Sequence, residues 1–226
     1  MKEDQRRIIR SLFFPALFVI LLWMVYWGEV IFHADLSSYG LQPLKWTGLI
    51  GIITAPLLHA DVSHLSANSI PLLILGSLLF YFYRELAWKV IILIWLLAGL
   101  WTWFLARGDG IHIGASGLVY GLASFLFFSG ILRRDNRLMA ITLLIAFLYG
   151  GMVWGIFPRF FPNIPISWES HMMGLVSGLV LAFWYRKSGP RRKVYDWEFE
   201  EEEEEEDDHD DKGNPEGPDI RYFYKE

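Results

Sequence analysis

The sequence predicts an all-α membrane protein, a bundle of six transmembrane helices with a long outer loop between the first and second. Three observations carry that expectation. Hydrophobic residues make up 54% of the 226, and mean hydropathy is +0.31. They fall in blocks, several long enough at about 1.5 Å per residue to cross about 30 Å of hydrocarbon. Charge is also divided along the chain, with 17 Lys and Arg against 9 Asp and Glu in residues 1–195, and 3 against 16 in residues 196–226. A basic membrane body therefore carries an acidic tail. The expected organisation is a cytoplasmic N-terminus over 1–7, a membrane domain over 8–188 and a disordered cytoplasmic tail over 189–226.

The first span, 8–32, follows basic residues as a secretory signal does, but no small-residue cleavage site ends it, so it reads as a retained helix. The others are expected at 63–83, 88–106, 116–132, 138–157 and 168–185. The fourth is short. It suits a helix whose N-terminus stops below the surface in a water-filled cavity, where protein and water satisfy its free N–H groups. Fourteen Lys and Arg lie on one set of connections and only Lys45, Arg107 and Arg159 on the other, which places both termini in the cytoplasm. A bacterial-type plasma (inner) membrane is the default location.

Two outer connections stand out. Residues 33–61 include Trp46-Thr47-Gly48-Leu49-Ile50-Gly51-Ile52-Ile53, too short and glycine-broken to span and suited to the interface. Residues 158–167 contain three prolines and precede the last span, as either a lid or an inert connector. The tail has an unbroken acidic run at 200–208, too charged to build a core. Solvation and spacing explain it, and a cytoplasmic partner for it is an open alternative.

Cysteine is absent, which excludes disulfides, thiolate nucleophiles and cysteine-ligated metal sites. Polar residues at membrane depth are costly and invite a functional reading. Around the second span, His64 and Asn68 are four apart and share a helix face, with His59 just outside the helix. In Gly114-Ala115-Ser116-Gly117 the serine opens the fourth span, where free N–H groups and the positive helix end can stabilise an oxyanion. On the sixth span, His171 is followed by Gly174 and Gly178, a small-xxx-small pair that suits close approach to Gly117 and Gly121. Each cluster alone equally suits packing. Together they occupy the outer ends of alternate spans, and topology gives them a common depth.

The combined pattern resembles the rhomboid family of intramembrane serine proteases over about residues 8–186. The motifs are His59-x4-His64-x3-Asn68, Gly114-Ala115-Ser116-Gly117 with Tyr120, and His171-x2-Gly174-x3-Gly178. The resemblance implies Ser116 as nucleophile and His171 as base without a third acid. It implies an oxyanion hole of His64, Asn68 and the Ser116 N–H, and Tyr120 packed on the His171 ring. Two positions depart from the family pattern: Trp46-Thr47 replaces a common Trp-Arg, and Ser170 replaces the alanine before the histidine. Glu169, two residues from His171, is expected at the rim.

The implied activity is hydrolysis of peptide bonds in or near transmembrane segments, with transmembrane proteins as substrates, the bilayer as surroundings and no nucleic-acid partner. It requires no metal or cofactor. Two rival readings are an inactive relative that binds transmembrane segments and a small transporter with histidines on a proton path. The apolar inner half of the sixth span, Leu179-Val180-Leu181-Ala182-Phe183-Trp184, argues against the transporter.

Overall fold

Among the described residues of the computed structural model, four helices are long and apolar enough to cross a membrane. The structure describes residues 3–108, 110–134, 136–148 and 167–188, all within one unit, Met1–Arg191. In chain order the helices are α1 (Glu3–Phe32), a single turn α2 (Gly51–Thr54), α3 (Val62–Phe82), α4 (Ala87–Leu105), α5 (Ser116–Arg133), α6 (Asn136–Leu148) and α7 (Trp168–Trp184). The four of spanning length are α1, α3, α4 and α5; α7 has 17 residues. α6 covers the beginning of the fifth expected span. The rest of that span, the proline-containing connection up to residue 166 and the acidic tail lie outside the described residues.

The expected boundaries agree to within a residue or two except at the start of α1, which begins at Glu3 rather than Ile8. The cause is Arg7. Its Nη2 donates to the Tyr81 carbonyl at 2.8 Å, and its guanidinium lies 4.5 Å from the centre of the Tyr81 ring. A cation is favoured at the C-terminal end of α3, where carbonyls lack helical partners, so the charged turn belongs to the helix.

α5 is the most enclosed spanning helix and α1 the least. Phe125, Leu122 and Leu126 of α5 join Leu75 and Leu79 of α3 and Ile94 of α4 in a fully buried core. Ile9, Phe13, Ile20 and Met24 of α1 stay exposed, as apolar residues facing lipid do.

α5 and α7 meet along glycines. A Cβ at Gly174 would collide with the Gly117 carbonyl oxygen, and one at Gly178 with that of Gly121. This is the pairing that the spacing of small residues predicts. Ser124 Oγ of α5 donates to the Leu175 carbonyl of α7 at 2.7 Å. Further along, Arg133 Nη2 donates to the carbonyls of Tyr185 and Ser188, satisfying acceptors at the C-terminal end of α7.

The outer connection after α1 is a broken helix: a 3-10 turn at Trp46–Ile50, then α2, then a 3-10 turn at Ala55–Leu57. It rides on the end of α4. Trp103 Nε1 donates to the Lys45 carbonyl at 2.9 Å, and Trp95 Nε1 to the Ile52 carbonyl at 3.0 Å. Gly51 permits the fold-back, since a Cβ there would strike the Leu41 backbone. At the position where the family pattern has Trp-Arg, Trp46 is 83% exposed and the two α4 indoles hold the loop instead. An isolated antiparallel bridge pairs Leu41 with His112, which fastens this loop to the chain entering α5.

Candidate active site

The start of α3 is set by Asp61, whose carboxylate accepts from the His64 N–H at 2.8 Å as an N-cap. That cap fixes where the helix begins and so aims the face carrying His64 and Asn68. Asn68 is buried and donates from Nδ2 to the His64 carbonyl at 3.0 Å. Its amide has a second N–H, so one donor is committed to the helix without exhausting the group. His59, just ahead of the helix, is buried with its ring 5.1 Å from that of His64. Its Nε2 accepts from the Ala115 N–H at 3.5 Å, the long limit of a hydrogen bond. Burial, with His64 adding to it, pushes the His59 pKa down to about 4, while the Leu57 backbone and Asp61 act the other way. His59 is therefore a neutral acceptor at pH 7.

Gly114 has φ +107°, a backbone conformation that side chains disfavour. A Cβ there would also fall 2.5 Å from His64 Nε2 and 3.8 Å from Asn68 Nδ2. Glycine at this position thus brings the His64 and Asn68 side chains against the chain two residues ahead of Ser116. Ser116 is the first residue of α5, where the leading N–H groups have no helical acceptor.

Ser116 Oγ lies 2.8 Å from His171 Nε2. The imidazole stacks on Tyr120, one turn beyond Ser116, with ring centres 4.2 Å apart and planes 14° from parallel. The ring is thereby held flat against α5 while its Nε2 reaches the hydroxyl. The glycine contacts of Gly174 on Gly117 make this approach possible. A hydroxyl within hydrogen-bond distance of an imidazole nitrogen, beside the leading N–H groups of a helix and amide and imidazole side chains, can be deprotonated as it attacks a carbonyl.

A small, partly open cleft lies beside these residues, bordered by Thr102, His112, Gly114, Gly117 and Ser170. His112 Nε2 and Thr102 Oγ1 are buried there without a hydrogen-bond partner among the described residues. Polar atoms of that kind suit water, which needs two to four partners. Ser170 fills the space over Gly117, where a Cβ would come within 2.7 Å of its Oγ. Glu169 is half-buried and its charge bears on His112, so its electrical partner is that imidazole.

Ser116, His171, His64, Asn68, His59, Tyr120 and glycines 114, 117 and 174 thus converge in the first turns of α3, α5 and α7, while Gly178 lies further along the seam, against Gly121 and Ser124. Sequence reasoning overlooked the ring of His112, with Nδ1 2.5 Å from Ser167 Oγ. The available signal was a second histidine two residues before Gly114, together with a serine directly before the sixth span.

The Rhomboid domain family model matches residues 46–188, a stretch that includes every residue named in this constellation. The chain belongs to the rhomboid family. A protein of Mycobacterium tuberculosis described as uncharacterized is 41% identical over 183 residues, covering 78% of this chain and 75% of that one. The putative rhomboid protease YdcA of Bacillus subtilis is 26% identical over 185 residues, 74% of this chain and 85% of its own. The rhomboid protease GlpG of Pectobacterium atrosepticum is 35% identical over 80 residues, 34% of this chain and 28% of its own. Rhomboid membership and the apolar helices make this an integral membrane protein of an intramembrane protease family.

Proposed function

We propose that this rhomboid protein is a serine endopeptidase that hydrolyses peptide bonds in or near the transmembrane segments of other membrane proteins. The observation that carries the reading is the 2.8 Å separation of Ser116 Oγ and His171 Nε2 at the start of a membrane helix. His171 takes the Ser116 proton as Oγ attacks the scissile carbonyl carbon, and the carbonyl oxygen becomes an oxyanion. The Ser116 N–H, His64 and Asn68 stabilise that charge. The imidazolium then protonates the leaving amine, and a water deprotonated by His171 releases the acyl product. The cleft bordered by His112 and Thr102 is a polar space from which such a water can come.

A substrate helix hides its peptide bonds in its own hydrogen bonds, so cleavage favours segments with small or helix-breaking residues near the outer surface. The distribution of Lys and Arg supports cytoplasmic termini, with the site opening to the opposite side. The direct test is purified protein in detergent or liposomes with a single-span substrate, beside Ser116→Ala and His171→Ala. Cleavage by wild type alone is expected. Equal cleavage by Ser116→Ala refutes the assignment.

A further inference from the structure

His112 stands outside the reaction described above, yet it joins three parts of the site. Its N–H donates to the Leu41 carbonyl at 2.8 Å, and its carbonyl accepts from the Leu41 N–H at 2.9 Å. Two residues on, the Gly114 N–H donates to the Ala55 carbonyl at 2.8 Å. The chain approaching Ser116 is therefore strapped to the outer loop at two points. The ring reaches in another direction, with Nδ1 2.5 Å from Ser167 Oγ.

Ser167 is the residue preceding α7. Its hydroxyl makes no capping bond to its own helix, while its carbonyl accepts from the His171 N–H at 3.2 Å. One bond therefore runs from His112 to Ser167, and the next from Ser167 to the backbone of the base.

The glycine seam sets how closely α5 and α7 approach. The glycines themselves leave no interlocking side chains beside His171, the Ser124 and Arg133 bonds that hold α7 lie a turn or more further along it, and one residue of helix rises about 1.5 Å. A slip of well under one residue is enough to lengthen the 2.8 Å contact between Ser116 and His171. A hydrogen bond at the first residue of the approach opposes that slip.

We propose that His112 is a positioning residue, which fixes the axial register of α7 through Ser167 and so holds His171 on Ser116. The proposal rests on the reading of Ser116 as nucleophile. Other tethers remain, since the Arg107 guanidinium lies 5.2 Å from the centre of the Trp168 ring and Ser124 still holds the Leu175 carbonyl. Loss of the His112 bond therefore slows the chemistry without abolishing it.

The test measures the labelling rate of Ser116 by a fluorophosphonate, together with kcat and KM on a single-span substrate, in the full-length chain in detergent. His112→Phe keeps a planar ring and removes both nitrogens, Ser167→Ala removes the partner, and His112→Asn restores a polar group near the Nδ1 position. Labelling and kcat fall about tenfold in His112→Phe and in Ser167→Ala, with KM little changed, and the double variant is no slower than either single one. His112→Asn recovers most of the rate. Ser167→Ala decides the matter if His112→Phe does not fold. Wild-type labelling rates in the single variants, or single effects that multiply in the double variant, overturn the positioning role alone. An Asn variant as slow as the Phe variant also overturns it. A wild-type protein that is never labelled overturns the nucleophile reading and this role with it.

Discussion

Adding one methyl group at Gly174 tests the link between helix packing and chemistry. The Cβ of Gly174→Ala would overlap the Gly117 carbonyl oxygen, a backbone atom that cannot rotate away. α7 must then move off α5 by about 1 Å or more before the carbon and oxygen reach a normal separation. The same shift carries His171 away from Ser116, from 2.8 Å to beyond hydrogen-bond reach. A misplacement of that size costs about 10²-fold in rate, equivalent to about 2.7 kcal/mol in the barrier. Overpacking costs about 1–3 kcal/mol in stability as well, so rate and thermal unfolding are measured together. The assay is fluorophosphonate labelling of Ser116 at a temperature where both proteins remain folded. Gly28→Ala on α1 is the control, because a Cβ there meets nothing within 4 Å. A Gly174→Ala protein that is folded and labelled at the wild-type rate refutes the idea that the glycine seam sets the Ser116–His171 distance.

Three further outcomes follow from the same geometry. Asn68→Ala lowers kcat by about 10²–10³ with substrate affinity little changed, read from steady-state cleavage, because the proposed mechanism loses one oxyanion donor while Ser116 and His171 remain. Asp61→Ala removes the N-cap of α3 and costs about 0.5–2 kcal/mol, measured by denaturant or thermal unfolding. Acid also destabilises the fold through His59, whose folded pKa of about 4 lies below the unfolded value near 6.5. Between those values the unfolded chain binds the extra proton, so this contribution is fully present above pH 6.5 and is lost as pH falls toward 4. Its full size is about 3 kcal/mol. Unfolding temperatures recorded from pH 7 to pH 4 check this, and His59→Gln flattens the dependence; an equal slope in both proteins rules out His59 as its source.

The helices were legible because lipid imposes a length and an apolar composition that each segment carries locally. α3, α4 and α5 begin and end within a residue of expectation. The start of α1 was not, because what extends it to Glu3 is the reach of Arg7 to Tyr81, 74 residues away. The glycines 117, 121, 174 and 178 were legible as a seam, since a missing side chain at helical spacing has one common structural use. The fastening of the outer loop by Trp95 and Trp103 was not, because an indole N–H finds its carbonyl only after the loop has folded back over Gly51.

Local pattern is enough to show that this chain is an apolar helical protein, and that a serine, two histidines and an asparagine lie near the same ends of alternate helices. Those are local properties: hydropathy over a span, side-chain chemistry and the 3.6-residue period. Tertiary structure alone decided that Ser116 Oγ and His171 Nε2 come to 2.8 Å, that the imidazole lies flat on Tyr120, and that His112 takes hold of Ser167. These contacts join residues about 50 positions apart. Their distances depend on how closely two backbones can approach, which packing sets and no local pattern contains.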